Sequence, residues 1–292
     1  MSWEVFRCRT DCSGANAGFC VDETTYKAQA DALVAGGFRA AGYRTISIDD
    51  CWEQKTPPRD AQGRLAPDPR RFPSGFKHLA DYMHGKNVSF GIYSDMGTRT
   101  CGGYPATEGH EAIDATTFAE WGVDYLKLDG CHVVPPGYAV GYPKMGHALQ
   151  ASGRDIVYSC SWPAYLGSNE SSKPFEAMIA AGCNLWRNWH DIQGNWGSVC
   201  SIIDHWGDFG KVLQASAGPD GEYGGHWHDM CASNRFPALF GSHGASFGTR
   251  RDMLLIGEHE LGGLPGISDE EGRTQFGMWS LLAAPLIMGS KP

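Results

Sequence analysis

The chain has 292 residues, a length that suits one large α/β barrel or two smaller domains. Its 24 Lys and Arg face 33 Asp and Glu, for a formal charge of -9, and this acidic balance argues against a nucleic-acid partner, since phosphate binding needs a basic surface. No run of about 18 uncharged apolar residues occurs, so no membrane span is expected, and the opening "MSWEVFRC" lacks the basic-then-apolar layout of a signal peptide.

Short runs rich in β-branched and aromatic residues predict strands at "RTISIDDCW" (44–52), "VSFGIYSDMG" (88–97), "VDYLKLDGC" (123–131), "DIVYSCSWP" (155–163), "CNLWRNWHD" (183–191), "DMLLIG" (252–257) and "PLIMG" (285–289). Helices are predicted between them, at 26–43, 75–87, 117–122, 198–209 and 272–284, the last started by a capping box of Ser268 and Glu271. Strand–helix alternation implies a parallel sheet. Within 123–131, alternation puts Leu126 and Leu128 on one face and Tyr125, Lys127 and Asp129 on the other, one apolar and one chemical.

Nearly every predicted strand ends in a polar cluster: Asp49-Asp50-Cys51-Trp52, Tyr93 with Asp95, Lys127 with Asp129, Cys160-Ser161-Trp162, and Arg187 with Asp191. A doubly wound sheet gathers its ligand at one switch point, whereas a barrel delivers all its strand ends to one mouth, so the pattern favours a barrel. No G-x-G-x-x-G follows an early strand, and no cofactor is expected.

Carboxylates beside aromatic rings suit a sugar, whose CH face stacks while its hydroxyls bond to acids. Glycoside hydrolysis needs two carboxyl groups with split roles, and Asp129 and Asp191 are the natural pair. Lys127 should hold Asp129 ionised, while partial burial in "WRNWHD" would favour the protonated form of Asp191. Periodicity alone leaves Asp49 or Asp50 able to take either role.

Ten cysteines are many, and Cys12 and Cys20 flank the Gly-rich "SGANAGF" like a stapled loop, which points to an oxidising compartment and an export signal outside this chain. The spacing of Cys8, Cys12, Cys20 and Cys51 lacks C-x-x-C knuckles, so no metal is expected.

The motifs "IDDCW", "GRLAPDPRRFPSGFKHLADYMH", "GIYSDMG", "TFAEWGVDYLKLDGC", "SCSWPAY", "NLWRN", "DIQ" and "MWSLLAAPLIM" occur in the order of a known family. On them the chain resembles family 27 of the glycoside hydrolases, the α-galactosidases and α-N-acetylgalactosaminidases. The resemblance implies a retaining (β/α)8 TIM barrel without cofactor or metal, with Asp129 the nucleophile and Asp191 the acid/base. It implies that Asp49, Asp50, Lys127 and Arg187 bind sugar hydroxyls, that Trp3 and Tyr93 wall the pocket, and that Cys101, Cys131 and Tyr165 also line it. Ser161 and Ala164 stand where α-galactosidases carry Glu and Leu, which implies room for a 2-acetamido group and a preference for terminal α-N-acetylgalactosamine on glycolipid, glycoprotein or oligosaccharide; α-galactosidase activity is the alternative.

Four bridges are implied, Cys8–Cys51, Cys12–Cys20, Cys101–Cys131 and Cys160–Cys183, with Cys200 a buried free thiol and Cys231 without a counterpart. A lysosomal or secreted location and a homodimer of the full-length parent are implied as well. Measured against the family pattern, the barrel is truncated at both ends, lacking the segment before Trp3, the last helix and the C-terminal antiparallel β domain. Residues 1–292 thus read as one catalytic barrel with an unmatched insertion at about 230–250. That leaves a non-enzymatic alternative, a sugar-binding fragment without turnover. "NES" at 169–171 reads as a glycosylation sequon in a loop and "NVS" at 87–89 as a chance match; the histidines read as mostly structural, with "GGHWHD" a lesser candidate for the pocket floor.

Overall fold

A computed structural model describes residues 8–14, 20–216, 227–228, 254–256, 259–261, 264–281 and 286. Six strands form one sheet in chain order: β1 (Thr45–Ser47), β2 (Ser89–Asp95), β3 (Tyr125–Asp129), β4 (Val157–Cys160), β5 (Leu185–Trp186) and β6 (Trp227–His228). All five neighbouring pairs are parallel. The helices are α1 (Glu23–Ala35) before β1, then α2 (Gly75–His84), α3 (Glu111–Trp121), α4 (Pro135–Ala151), α5 (Phe175–Ala180) and α6 (Trp196–Ser216), one in each connection. A doubly wound sheet reverses its strand order part-way; this one never does, and it forms the wall of a barrel. An antiparallel hairpin, β7 (His259–Leu261) with β8 (Leu264–Gly266), precedes α7 (Asp269–Leu281).

The strands divide their two faces as alternation dictates. Ile46, Ile48, Phe90, Ile92, Leu126 and Leu128 join Phe76, Leu79 and Met83 of α2, Phe118 of α3, and Met145 and Leu149 of α4 in the apolar layer between sheet and helices. Phe76 centres it, its ring 4.7 Å from Trp52 and 5.3 Å from both Phe90 and Trp121. The opposite strand faces carry Tyr93, Lys127 and Asp129 inward.

Several boundaries differ from the sequence reading. Helix α1 starts earlier because the Asp22 carboxylate accepts from Thr25 N at 2.8 Å, and it stops at Gly36, where Gly37 takes φ 78°. Helix α4 is unforeseen, since Gly137, Gly141, Pro143 and Gly146 argue against a helix, whereas Pro135 and Pro136 fall in its first turn, where proline is tolerated. Packing overrides that composition: a Cβ at Gly146 would lie 1.8 Å from the Ala181 carbonyl oxygen, so only glycine lets α4 come this close. Helix α7 opens on the foreseen capping box, with Ser268 N donating to Glu271 Oε2 at 2.7 Å and Glu271 N to Ser268 Oγ at 3.3 Å.

Of the strands predicted over 252–257 and 285–289, only 254–256 and 286 are described, with Leu254 and Leu255 buried. Trp3, Cys231 and the insertion at 230–250 lie outside the described residues. Cys8–Cys51, Cys12–Cys20, Cys101–Cys131 and Cys160–Cys183 are bonded in the structure. Cys200 is a free thiol but only half-buried, because it sits on a flank of α6, whereas Val199 beside it is enclosed.

Candidate active site

Strand register assembles the site. Pairing of β2 with β3 sets Gly91 against Tyr125, Tyr93 against Lys127 and Asp95 against Asp129, so chemical side chains of one strand meet those of the next at matched heights. The lowest of these levels is tight: a Cβ at Gly91 would stand 2.7 Å from Ser47 Cβ and Oγ and 3.0 Å from the Tyr125 ring. The polar residues gather above that constriction.

Asp129, fully buried at the end of β3, is the centre of the cluster. Tyr165 donates its hydroxyl to Oδ1 at 2.6 Å, and Gly130 N donates to the same oxygen at 3.1 Å. Lys127 Nζ lies 3.8 Å from Oδ2 and Arg187 Nη2 3.9 Å from Oδ1. A carboxylate between two cations and a phenol is equipped to stay an anion and to attack. Lys127 also reaches Asp49 Oδ2 at 3.4 Å and rides over the Tyr93 ring at 4.8 Å from its centroid.

Arg187, beyond β5, links the two acids of interest, because its Nε is 3.3 Å from Asp191 Oδ1 while Nη2 faces Asp129. The Asp191 side chain keeps 35 % of its exposure, so it is partly buried, with this guanidinium beside it. The two acids thus differ in surroundings, one buried between cations and one partly exposed beside a single guanidinium.

The segment after β4 supplies the third side. Ser161, buried, donates its N–H to Leu128 O at 3.0 Å and leads into a 3₁₀ turn, Trp162–Tyr165. Ala164 N donates to Ser161 O at 3.2 Å, and such a spacing eclipses the two side chains on one edge. Tyr165, the next residue, is the one that touches Asp129, and its ring stacks on Tyr138 at 5.2 Å. Cys131 Sγ lies 3.3 Å from the Tyr165 hydroxyl and Cys101 Sγ 3.6 Å from Asp129 Oδ2, so the Cys101–Cys131 bridge borders Asp129.

A second rank of carboxyl groups stands behind the first. Asp50 accepts from Cys51 N at 2.6 Å and Gly102 N at 2.7 Å; burial nevertheless pushes its pKa up to about 6, with the Asp49 charge adding and hydrogen bonds from Thr100, Gly102 and Cys51 opposing. Glu53 is pushed well up by burial and by Asp50. Asp95 is pushed up by burial and the Asp129 charge, although Gly97 N and Cys131 N each donate to it at 2.8 Å. Asp95 was visible in the sequence only as a polar strand end, and Glu53 had no signal beyond its place after "IDDCW". The clusters of Asp95 with Cys101 and Cys131, and of Asp22 with Cys12 and Cys20, have ligand-like spacing, but their sulfurs are already spent in disulfides.

Of the expected site residues, Asp49, Asp50, Tyr93, Cys101, Lys127, Asp129, Cys131, Ser161, Ala164, Tyr165, Arg187 and Asp191 occupy the strand ends and the loops that follow them, and Trp3 lies outside the described residues. Residues 1–237, which include all of these, match the family described as Melibiase_2, alpha galactosidase A. The chain belongs to this family, within family 27 of the glycoside hydrolases. It is 44% identical over 291 residues to the alpha-N-acetylgalactosaminidase of Gallus gallus, covering 99% of this chain and 63% of that one. It is 39% identical over 292 residues to the human alpha-galactosidase A, covering 99% and 59%. Among solved structures, alpha-galactosidase I from Mortierella vinacea superposes with a TM-score of 0.72 at 30% identity, covering 93% of this chain and 63% of that one. The chain spans about three fifths of the length of these relatives. No helix among the described residues is long and apolar enough to cross a membrane.

Proposed function

We propose that this chain carries the catalytic barrel of a retaining exo-glycosidase that removes terminal α-N-acetylgalactosamine from glycolipids, glycoproteins or oligosaccharides. Asp129 attacks the anomeric carbon while Asp191 gives its proton to the departing glycosidic oxygen, so the C–O bond breaks as a covalent β-glycosyl ester forms. Asp191 then takes a proton from water, whose oxygen displaces Asp129 and returns the α-anomer. Lys127 and Arg187 hold hydroxyls and, with Tyr165, keep Asp129 oriented. The observation that carries the reading is the guanidinium of Arg187 standing between one buried and one open carboxylate.

The preference for the acetamido sugar rests on Ser161 and Ala164. They share an edge of the 3₁₀ turn whose last residue touches Asp129, and small side chains there leave space for an N-acetyl group, with the Ser hydroxyl available to its carbonyl. The second reading, α-galactosidase, has support from relatives of that name at 36–39% identity. The four disulfides suit a lysosomal or secreted setting.

The test is kcat/KM for nitrophenyl α-N-acetylgalactosaminide against the α-galactoside. Contacts to the acetamido group are worth about 1–3 kcal/mol, a preference of roughly tenfold or more, and Ser161→Glu with Ala164→Leu should invert it. A parent that already prefers the galactoside removes the acetamido reading, and β-anomer as first product removes retention. Asp129→Asn should bind sugar without turnover; turnover that survives it, or a parent that binds without ever hydrolysing, overturns the enzymatic reading.

A further inference from the structure

A group of charged side chains that the chemistry above does not use is enclosed behind β5. Glu170, fully buried in the 3₁₀ turn Glu170–Ser172, accepts through Oε1 from Lys173 Nζ, with His205 Nε2 of α6 at 2.9 Å from the same oxygen. Its Oε2 accepts from Asn188 Nδ2 at 2.7 Å, and Lys173 Nζ donates on to the Asn188 carbonyl at 2.6 Å. Asn188 is therefore gripped by side chain and backbone at once. The next residue, Trp189, stacks on His205 with centroids 3.8 Å apart and planes 10° apart, and its carbonyl accepts from Arg187 Nη1 at 2.6 Å.

We propose that Glu170, with Lys173 and His205, is the positioning centre for segment 187–191, setting Asp191 at the reacting bond by clamping Asn188 and Trp189; this rests on the acid/base reading of Asp191. Asp191 is partly open to solvent, and the segment beneath it has only the two residues of β5 as sheet. Apolar packing alone would let such a segment slide. Directional bonds from a buried carboxylate to three donors on three different parts of the chain do not, and their desolvation cost is the usual reason to expect something other than stability from a buried ionic cluster. Sequence reading could not find the cluster, because Glu170 is the middle residue of the sequon "NES" and looks like exposed loop.

The experiment compares Glu170→Gln with the parent and with Asp191→Asn, on an α-glycoside with a poor leaving group and on the dinitrophenyl glycoside, whose departure needs no proton. Gln keeps the volume but turns an amide N–H toward groups that donate. A displaced acid costs about tenfold or more on the poor leaving group and much less on the activated one, as Asp191→Asn should. Equal losses on both substrates, or none, overturn the proposal, since a merely structural residue lowers the folded fraction for both alike. If Glu170→Gln does not fold, His205→Phe keeps a ring against Trp189 and deletes the bond to Glu170, and is read the same way. Hydrogen exchange at amides 188–192 is a readout independent of turnover: faster exchange in the folded variant supports the clamp, and unchanged exchange overturns it. A parent inactive on both glycosides would count against the proposed function only, and the exchange result would still decide this inference.

Discussion

Raising the pH from about 4.5 to about 7 should destabilise the fold, an uncommon direction for a protein rich in carboxylates. Asp50 shows the effect on its own, its pKa moving from 3.8 to about 6 on burial. Because the native state holds this proton more tightly than the unfolded chain, the stabilisation is fully present below 3.8 and is lost as pH rises through about 6. A shift of about two units is worth about 3 kcal/mol in total, of which about 2 kcal/mol falls between about pH 4.5 and about pH 7. Glu53 and Asp95, raised for the same reason, add in the same direction. Glu23, Asp68 and Glu111, where burial is outweighed by hydrogen bonds and cationic partners, shift downward and act below this window. Thermal unfolding followed by circular dichroism across the range should therefore show Tm falling by about 4 °C from Asp50 alone, and a shallower slope in Asp50→Asn. A Tm that is flat or rises with pH would refute the reasoning, and an unchanged slope in the variant would remove Asp50 from it.

Loss of the Cys101–Cys131 bridge, which closes 30 residues beside Asp129, should cost about 3–4 kcal/mol of chain entropy and take activity with it, as measured in Cys101→Ser/Cys131→Ser; mass mapping that finds both thiols free in active protein would refute this. Gly91→Ala should lower stability by about 1–3 kcal/mol, since its methyl would stand 2.7 Å from Ser47 Cβ and Oγ; a Tm equal to the parent's would show that β1 and β2 can part without cost.

What the sequence made legible follows from period-two alternation. A strand that seals one face with Leu126 and Leu128 must turn Lys127 and Asp129 to the other, and parallel pairing then fixes which residues of β2 stand beside them. Polar residues at strand ends were readable for that reason, though only the family resemblance assigns Asp129 and Asp191 roles that periodicity leaves open to Asp49 and Asp50. What stayed hidden depends on distant partners. Helix α4 runs against the glycines and the proline in its interior and packs closely because Gly146 admits the Ala181 carbonyl; β6 is two residues long, too short for any period. Glu170 needed Lys173, Asn188 and His205 around it before its burial made sense.

The arrangement of acids explains why so many can share one barrel mouth. Asp49, Asp50, Glu53, Asp95 and Asp129 are all buried there, and five adjacent carboxylates could not all be ionised without prohibitive repulsion. Position divides them. Asp49 and Asp129 share Lys127, and Asp129 also faces Arg187, so cationic charge is spent on these two. Asp50, Glu53 and Asp95 sit a layer back, where backbone N–H groups give Asp50 and Asp95 fixed partners while burial favours their protonated forms. The rear acids thus brace the Cys51, Gly102 and Cys131 segments at little electrostatic cost, provided the medium is acidic enough to keep them neutral. Folding of this region should accordingly favour an acidic medium, independent of which sugar the site takes, and the slope of Tm with pH is what tests it.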